Sequence, residues 1–337
     1  MNETFARHLL PFLHRSGHLE VLELAPISTN GSSGLKIGLS IPNNWGIADV
    51  GELIDIGVLA EQCGFHALWT SEHLVNVSYV RDRIGDEPYY NPLAILSALS
   101  VKTSRILLGT SILILPFHSP FFVAKYFATL DHLSRGRAVL GVGIGNVPEE
   151  FEVVGVPWQK RGASTDEAIA VIRALWSQDA AEHNGENWQF TDVHTSPKPF
   201  GAMIPIWVGG ISPAALRRTA SIGQGWHAVA VTPDEFRTMT GEIRKQAAAL
   251  GRDPAAIATC MRVNIAFEGE GATESELKAS INADHADDIR RAVDQFREAG
   301  ATDILFALNC RRPEVVKLTI RKIADALAAY LEPGAER

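Results

Sequence analysis

"HLSRGRAVLGVGIGNVPEEF", residues 132–151, places Gly141, Gly143 and Gly145 in alternation at the end of a β-rich run. Glycines so spaced suit the phosphate turn of a dinucleotide-binding βαβ unit, or a place where backbone must be approached closely. A dinucleotide turn opens a helix directly, belongs to the first βαβ unit, and has an acid about 20 residues later for the ribose. Here three β-rich runs precede the glycines, and "NVPEEFEVVGVPWQKRG" (146–162) follows as a loop holding two prolines. A dinucleotide turn is therefore misplaced at this point. Two alternatives stay open: a flat ring against the strand end, where any Cβ would collide, or tight packing of small residues around a barrel layer.

On both sides of this stretch, short strands alternate with amphipathic helices. Strands are predicted at 35–42, 65–73, 105–115, 137–143, 204–210, 225–231, 258–267 and 302–309. Helices follow each of them, at 49–64, 91–103, 119–134, 164–178, 212–222, 232–250, 285–300 and 313–331. Gly64 is the expected C-cap of the first, and Ser119 with Pro120 the expected start of the third. A long polar loop is expected after the second strand. Eight strands and eight helices in strict alternation predict a (β/α)8 TIM barrel, since a doubly wound sheet needs no count of eight. A helix-poor stretch, 179–203, is an insertion after the fourth βα unit. Residues 1–34 are expected to form an N-terminal extension, broken by Pro11 and Gly17 and ending in the linker-like "PISTNGSSG", with one barrel domain over 35–332.

Composition excludes several classes of function. The net charge is −8, and no basic stretch alternates with aromatics, so no nucleic-acid partner is expected. No apolar run reaches the ~18 residues of a membrane span. Cys63, Cys260 and Cys310 are isolated, which suits reduced thiols in a cytoplasmic protein. The histidines show no HExxH or other ligand spacing, so no metal is expected.

A barrel of this kind works at the carboxyl ends of its strands. Those ends read Asn43-Asn44-Trp45-Gly46, Ser71-Glu72-His73, Gly109-Thr110-Ser111-Ile112, Gly143-Ile144-Gly145-Asn146 and Gly209-Gly210-Ile211-Ser212. Residues 64–74 ("GFHALWTSEHL"), 108–176 and 197–229, the last opening "PKPFGAMIPIWVGG", resemble the luciferase-like monooxygenase superfamily. This is the bacterial-luciferase type of barrel, which uses FMN or the deazaflavin coenzyme F-420. The matching blocks are collinear and cover most of residues 35–230; beyond about residue 260 only the barrel periodicity supports the likeness.

The resemblance implies roles for particular residues. Ser71-Glu72-His73 stands for the family's Ser/Gly-Asp-His pattern, with Glu in place of the commoner Asp. In the deazaflavin branch the histidine faces the ring and moves a proton or orients a hydride. Imidazole suits that task because it ordinarily titrates near neutrality. His73 and Glu72 are thus the expected catalytic pair. Thr110, Ser111 and Ile112 occupy the position where many members have a bulge with a non-proline cis peptide. Gly143, Gly145 and Asn146 would border the ring, and Asn146 replaces the carboxylate of some sugar-oxidising deazaflavin members. Gly209, Gly210, Ile211 and Ser212 form the expected phosphate cradle, with Ser212 capping a helix and Pro213 at its first turn. Arg161 is an expected cation nearby, or else a solvated surface charge. Trp45, Trp69, Trp158 and Trp226 would wall a pocket or fill the core. His118 and His227 are expected to be structural.

The implied enzyme is an oxidoreductase acting on a small organic substrate, by hydride transfer with F-420 or oxygen insertion with FMN. A separate reductase supplying reduced cofactor is a possible partner. A homodimer is expected through "GELIDIGVLAEQC" (51–63) and "PLAILSALS" (92–100). The alternatives are a non-catalytic flavin-binding barrel and a cofactor-free hydrolase or aldolase. The last would need a lysine or paired carboxylates at strand ends, and none is convincingly placed.

Overall fold

In the computed structural model, residues 34–201, 203–267 and 280–331 are described. Residues 1–33, assigned to an N-terminal extension, lie outside them. The chain first forms β1 (Lys36–Ser40), α1 (Val50–Gln62), β2 (Ala67–Thr70), α2 (Ser78–Ile84), α3 (Pro92–Lys102), β3 (Leu107–Thr110) and β4 (Leu113–Ile114). It continues as α4 (Pro120–Ser134), β5 (Ala138–Gly143), α5 (Pro148–Val154), α6 (Arg161–Ser177), β6 (Ala181–Asn184), β7 (Gln189–Val193), β8 (Ile206–Gly209) and α7 (Pro213–Ile222). It closes with β9 (Gly225–Val229), α8 (Pro233–Ala249), β10 (Ala258–Ala266), β11 (Ser280–Asn282), α9 (Ala286–Glu298), β12 (Asp303–Leu308) and α10 (Pro313–Ala326).

Strands β12, β1, β2, β3, β5, β8, β9 and β10 pair in that order, all parallel, and β10 returns to β12. The ring is closed, with helices between its strands: this is the expected (β/α)8 barrel. Strand β11 adds to β10 outside the ring. The insertion 179–203 carries the antiparallel hairpin β6–β7.

Local chemistry explains the boundaries. The Asp49 carboxylate accepts from Gly51 N–H to start α1, and the Asn91 side chain accepts from Leu93 and Ala94 N–H to start α3. Thr232 and Glu235 form a reciprocal capping box on α8. Pro120 opens α4 as expected, although the Ser119 side chain makes no capping bond. Between ring and helices lies one large apolar layer, which includes Ile37, Leu68, Leu108, Leu140, Ile206 and Phe306. Inside the ring, Trp69 and Trp207 tilt together with centroids 5.0 Å apart. With Val139, Cys260 and Leu305 they fill the barrel as a plug.

The structure departs from the sequence expectation at α2, at α5 and at the start of α6. The stretches expected to be loops after the second and fourth strands each contain a seven-residue helix, α2 and α5. Pro148 at the first turn, Glu149 and Glu150 beside the positive helix end, and Gly155 at φ +76° account for α5. Helix α6 begins at Arg161, three residues before the expected start. At Ser111–Ile112 the peptide is cis, as the resemblance implied; it interrupts the predicted strand 105–115, and β4 continues the third strand along β5.

Candidate active site

The carboxyl ends of the strands enclose a cavity of about 720 Å³, within the usual range of small-molecule sites. His227, on β9, is part of its lining and only 4% exposed. Its ring meets Trp69 edge-on at 4.5 Å and Trp207 at 5.0 Å, so the plug is the floor beneath it. Among the described residues, neither ring nitrogen has a hydrogen-bond partner. Burial, and then the nearby positive charge of Arg262, push its pKa down to about 3. The imidazole is neutral at any ordinary pH.

His73 stands on the wall. Its Nδ1 lies 2.7 Å from Glu150 Oε2 and its Nε2 lies 2.9 Å from the Tyr79 hydroxyl. Leu74 N–H donates to the other Glu150 oxygen at 2.6 Å. Asn146 makes a side-chain hydrogen bond to Tyr79. These contacts form one consistent chain of donors: the Asn146 amide to Tyr79, the phenol to Nε2, and Nδ1–H to a carboxylate that already accepts a backbone N–H. Two short helices bring it together, since α2 supplies Tyr79 and α5 supplies Glu150.

Glu72, expected to act with His73, also borders the cavity, but its carboxylate is paired with other groups than His73. The Glu72 carboxylate lies 2.8 Å from His118 Nε2 and accepts from Ile114 N–H at 2.7 Å, with its side chain wholly buried. It ties the end of β2 to the β4 turn, while Glu150 is the acid at His73. The sequence carried a signal for Glu150 in the Pro-Glu-Glu start of α5, but a helix of two turns shows too little periodicity to be read.

The glycines prove to be places of close approach from within the protein. A Cβ on Gly143 would lie 2.4 Å from Ile112 Cδ1, and one on Gly209 would lie 2.7 Å from Ile112 Cγ2. One on Gly141 would lie 1.8 Å from the Thr110 carbonyl oxygen. The space beside Gly145, at φ +75°, belongs to Phe151. Tight packing therefore accounts for the alternating glycines, and the side chain brought into the cavity between them is Ile112. Gly143, Gly145 and Ile112 all border the cavity, as does Ser111. Thr110 does not. Its hydroxyl, fully buried, donates to Gly141 O at 2.6 Å and accepts from Gly141 N–H at 3.1 Å.

Gly209, Gly210, Ile211 and Ser212 border the cavity at the start of α7. Gly210 has φ +115°, and its nearest neighbour to a Cβ would be Ala215 at 3.4 Å, so its cavity side is open. The Ser212 hydroxyl caps α7 by accepting from Ala215 N–H at 3.2 Å. Arg161 also lines the cavity, stacked 3.5 Å over Trp158 and donating to that residue's carbonyl, while its buried Nε has no partner. Arg218 beside it is held by Asp166. Among the tryptophans only Trp158 borders the cavity; Trp45, Trp69 and Trp226 are buried, at 2%, 2% and 0% exposed.

A model of the luciferase-like monooxygenase family matches residues 28–334. The chain belongs to that family. The F420-dependent glucose-6-phosphate dehydrogenase of Microbacterium testaceum is 36% identical over 179 residues, covering 52% of this chain and 51% of that protein. The chain thus spans about half the length of that relative. The enzyme of the same name from Beutenbergia cavernae is 31% identical over 283 residues, covering 82% of this chain and 76% of that protein. Among solved structures, an F420-dependent secondary alcohol dehydrogenase in complex with an F420-acetone adduct superposes with a TM-score of 0.73. It has 18% identity and covers 89% of this chain and all of its own, a likeness of fold.

Proposed function

We infer that this chain is an oxidoreductase that holds F420 or FMN across its strand ends and acts on a small organic substrate. The observation that carries the reading is His73 fixed between Glu150 and Tyr79 on the wall of the cavity. With Nδ1–H committed to a buried carboxylate, Nε2 is left to accept a proton from a substrate hydroxyl that displaces the Tyr79 phenol, or to return one. A bound deazaflavin or flavin would supply the two-electron acceptor or donor that the side chains lack. The residues suit such a group. Gly210 leaves a cradle open at a helix start, and the unpartnered Nε of Arg161 waits beside it for an anion. Ile112, raised between Gly143 and Gly209, offers an apolar edge for a ring.

F420 is the favoured cofactor, because relatives at 31% and 36% identity carry F420-dependent names. Asn146, where sugar-oxidising members place a carboxylate, argues against transfer of the sugar chemistry. FMN would make the reaction a monooxygenation and would call for a separate reductase. The same reading includes a cytoplasmic homodimer. The buried residues of α1 and α3, among them Leu53, Ile56, Leu96 and Leu99, are spent on the barrel. The exposed apolar side chains Phe121, Phe122 and Leu133 on α4, with Phe200 and Met203 from the insertion, are the better contact surface.

Equilibrium titration of the purified protein with F420 and with FMN, followed by fluorescence quenching, tests the cofactor. Saturable binding is expected for at least one, with F420 the tighter. Gly210→Val should weaken both by more than about tenfold by filling the cradle. Failure of both to bind would overturn the reading.

A further inference from the structure

We propose that Tyr79 is a specificity-determining residue: its phenol stands in the free protein where a ligand's hydroxyl group will sit, and closes Nε2 of His73 until an oxygen that can donate a proton takes its place. The proposal rests on the redox reading for calling that ligand a substrate, but not for the closure of His73 by Tyr79.

The order of burial is what a cover requires. The side chains of Glu150 and His73 are 1% and 10% exposed, while Tyr79, the outermost of the three, is 39% exposed. Tyr79 lines the cavity from the first turn of α2, and its hydroxyl lies 2.9 Å from Nε2. An imidazole nitrogen that accepts has a single in-plane lone pair, so no other group can use Nε2 while the phenol is there.

Tyr79 is also lightly held. Val80 and Ile84 are the buried residues of α2 and anchor it. The Tyr79 ring meets His73 edge-on at 5.7 Å. Arg83 stands over the ring at 5.9 Å, the outer limit of a cation–π contact, and lies closer, at 4.8 Å, to Trp45. An exposed side chain so placed changes rotamer without unpacking its helix.

The donor inventory decides what can replace the phenol. Both Glu150 oxygens are taken, one by Leu74 N–H and the other by Nδ1. A carboxylate only accepts, so Nδ1 carries the hydrogen and Nε2 of the neutral ring is the acceptor. Tyr79 is therefore the donor in its contact with His73. An alcohol exchanges one O–H···N bond for another and binds with little loss. A ketone, aldehyde or ether offers only acceptor atoms, and must break a bond that it cannot remake. The closed site thus selects hydroxyl-bearing ligands over their carbonyl counterparts.

Diethyl pyrocarbonate, which acylates a free imidazole nitrogen, reads the gate without cofactor or substrate. Peptide mass mapping should show His73 modified at least about fivefold faster in Tyr79→Phe than in the wild type, since a hydrogen bond no longer protects it. His118, held by Glu72, should react at the same rate in both and reports an intact fold. Cyclohexanol should restore protection of His73 in Tyr79→Phe, and cyclohexanone at the same concentration should not. With cofactor and an oxidisable alcohol, Tyr79→Phe should lower KM about threefold to tenfold, the change falling on KM rather than kcat. Equal modification of His73 in the two proteins, or protection by the alcohol no better than by the ketone, would overturn the proposal. So would a kcat lowered about tenfold or more at unchanged KM, which would make the phenol a proton carrier instead of a gate. Should neither cofactor bind while Tyr79→Phe still exposes His73 and cyclohexanol still covers it, the redox reading fails and this one stands.

Discussion

His73 has both nitrogens engaged within 2.9 Å, one by a carboxylate and one by a phenol, and the two contacts predict different phenotypes. His73→Ala should lower turnover by ~10²–10⁴-fold while cofactor affinity changes little, since the Gly210 cradle lies on another strand. His73→Gln retains hydrogen bonding without proton transfer and should be almost as slow; near-normal turnover in Gln would reduce His73 to a wall and favour a barrel that binds without catalysing. Glu150 is a positioning residue. In Glu150→Gln the amide can turn its NH₂ toward Nδ1 and favour the other tautomer, so turnover should fall by up to ~10⁴-fold with unchanged F420 affinity. Single-turnover kinetics beside the binding titration separates these outcomes. The histidine could be found in the sequence because it closes a strand. Its acid could not, because it sits 77 positions away on a helix of seven residues.

Among elements, β5 and the broken third strand depend on each other. Gly141 hydrogen-bonds with the Thr110 hydroxyl on both sides of its peptide and leaves no room for a Cβ beside the Thr110 carbonyl. Gly143 leaves its space to the tip of Ile112, a side chain that can turn. Gly141→Ala should therefore cost about 3 kcal/mol or more, with backbone forced to move, whereas Gly143→Ala should cost about 1–3 kcal/mol. Urea unfolding of both variants reads the difference, and Gly143→Ala should be the one that alters cofactor affinity while folded. The barrel was legible because eight long periodic segments each announce themselves by burying one face. Why the glycines are there was not legible, because their neighbours, Thr110, Ile112 and Phe151, meet them only after the strands pair. The same holds for Glu72, whose partner His118 lies 46 residues on.

For the molecule as a whole, buried His227 and half-buried Asp303 should set opposing pH dependences. His227 titrates at about 3 in the fold against an ordinary 6.5. Below 6.5 the unfolded chain takes up a proton that the fold refuses, so stability falls as pH drops from about 6.5 toward 3. Asp303 is raised to about 6 from an ordinary 3.8, chiefly by burial. Between those values the fold holds a proton the unfolded chain has released, so stability falls as pH rises through that window. Asp303→Asn should abolish the second slope and stabilise the protein at pH 7 by about 1–2 kcal/mol; urea midpoints from pH 4 to 8 measure it. Light scattering at micromolar concentration should give a dimer mass, and Phe122→Glu should shift it to that of a monomer. The tryptophan plug has a kinetic corollary. With the barrel blocked below by Trp69 and Trp207, the cavity is a cul-de-sac, and two ligands must share one doorway. The first to arrive at depth is the last to depart, so steady-state turnover should follow a compulsory order. Product-inhibition patterns would reveal it as competition against one ligand only, and a random-order pattern would mean a second exit.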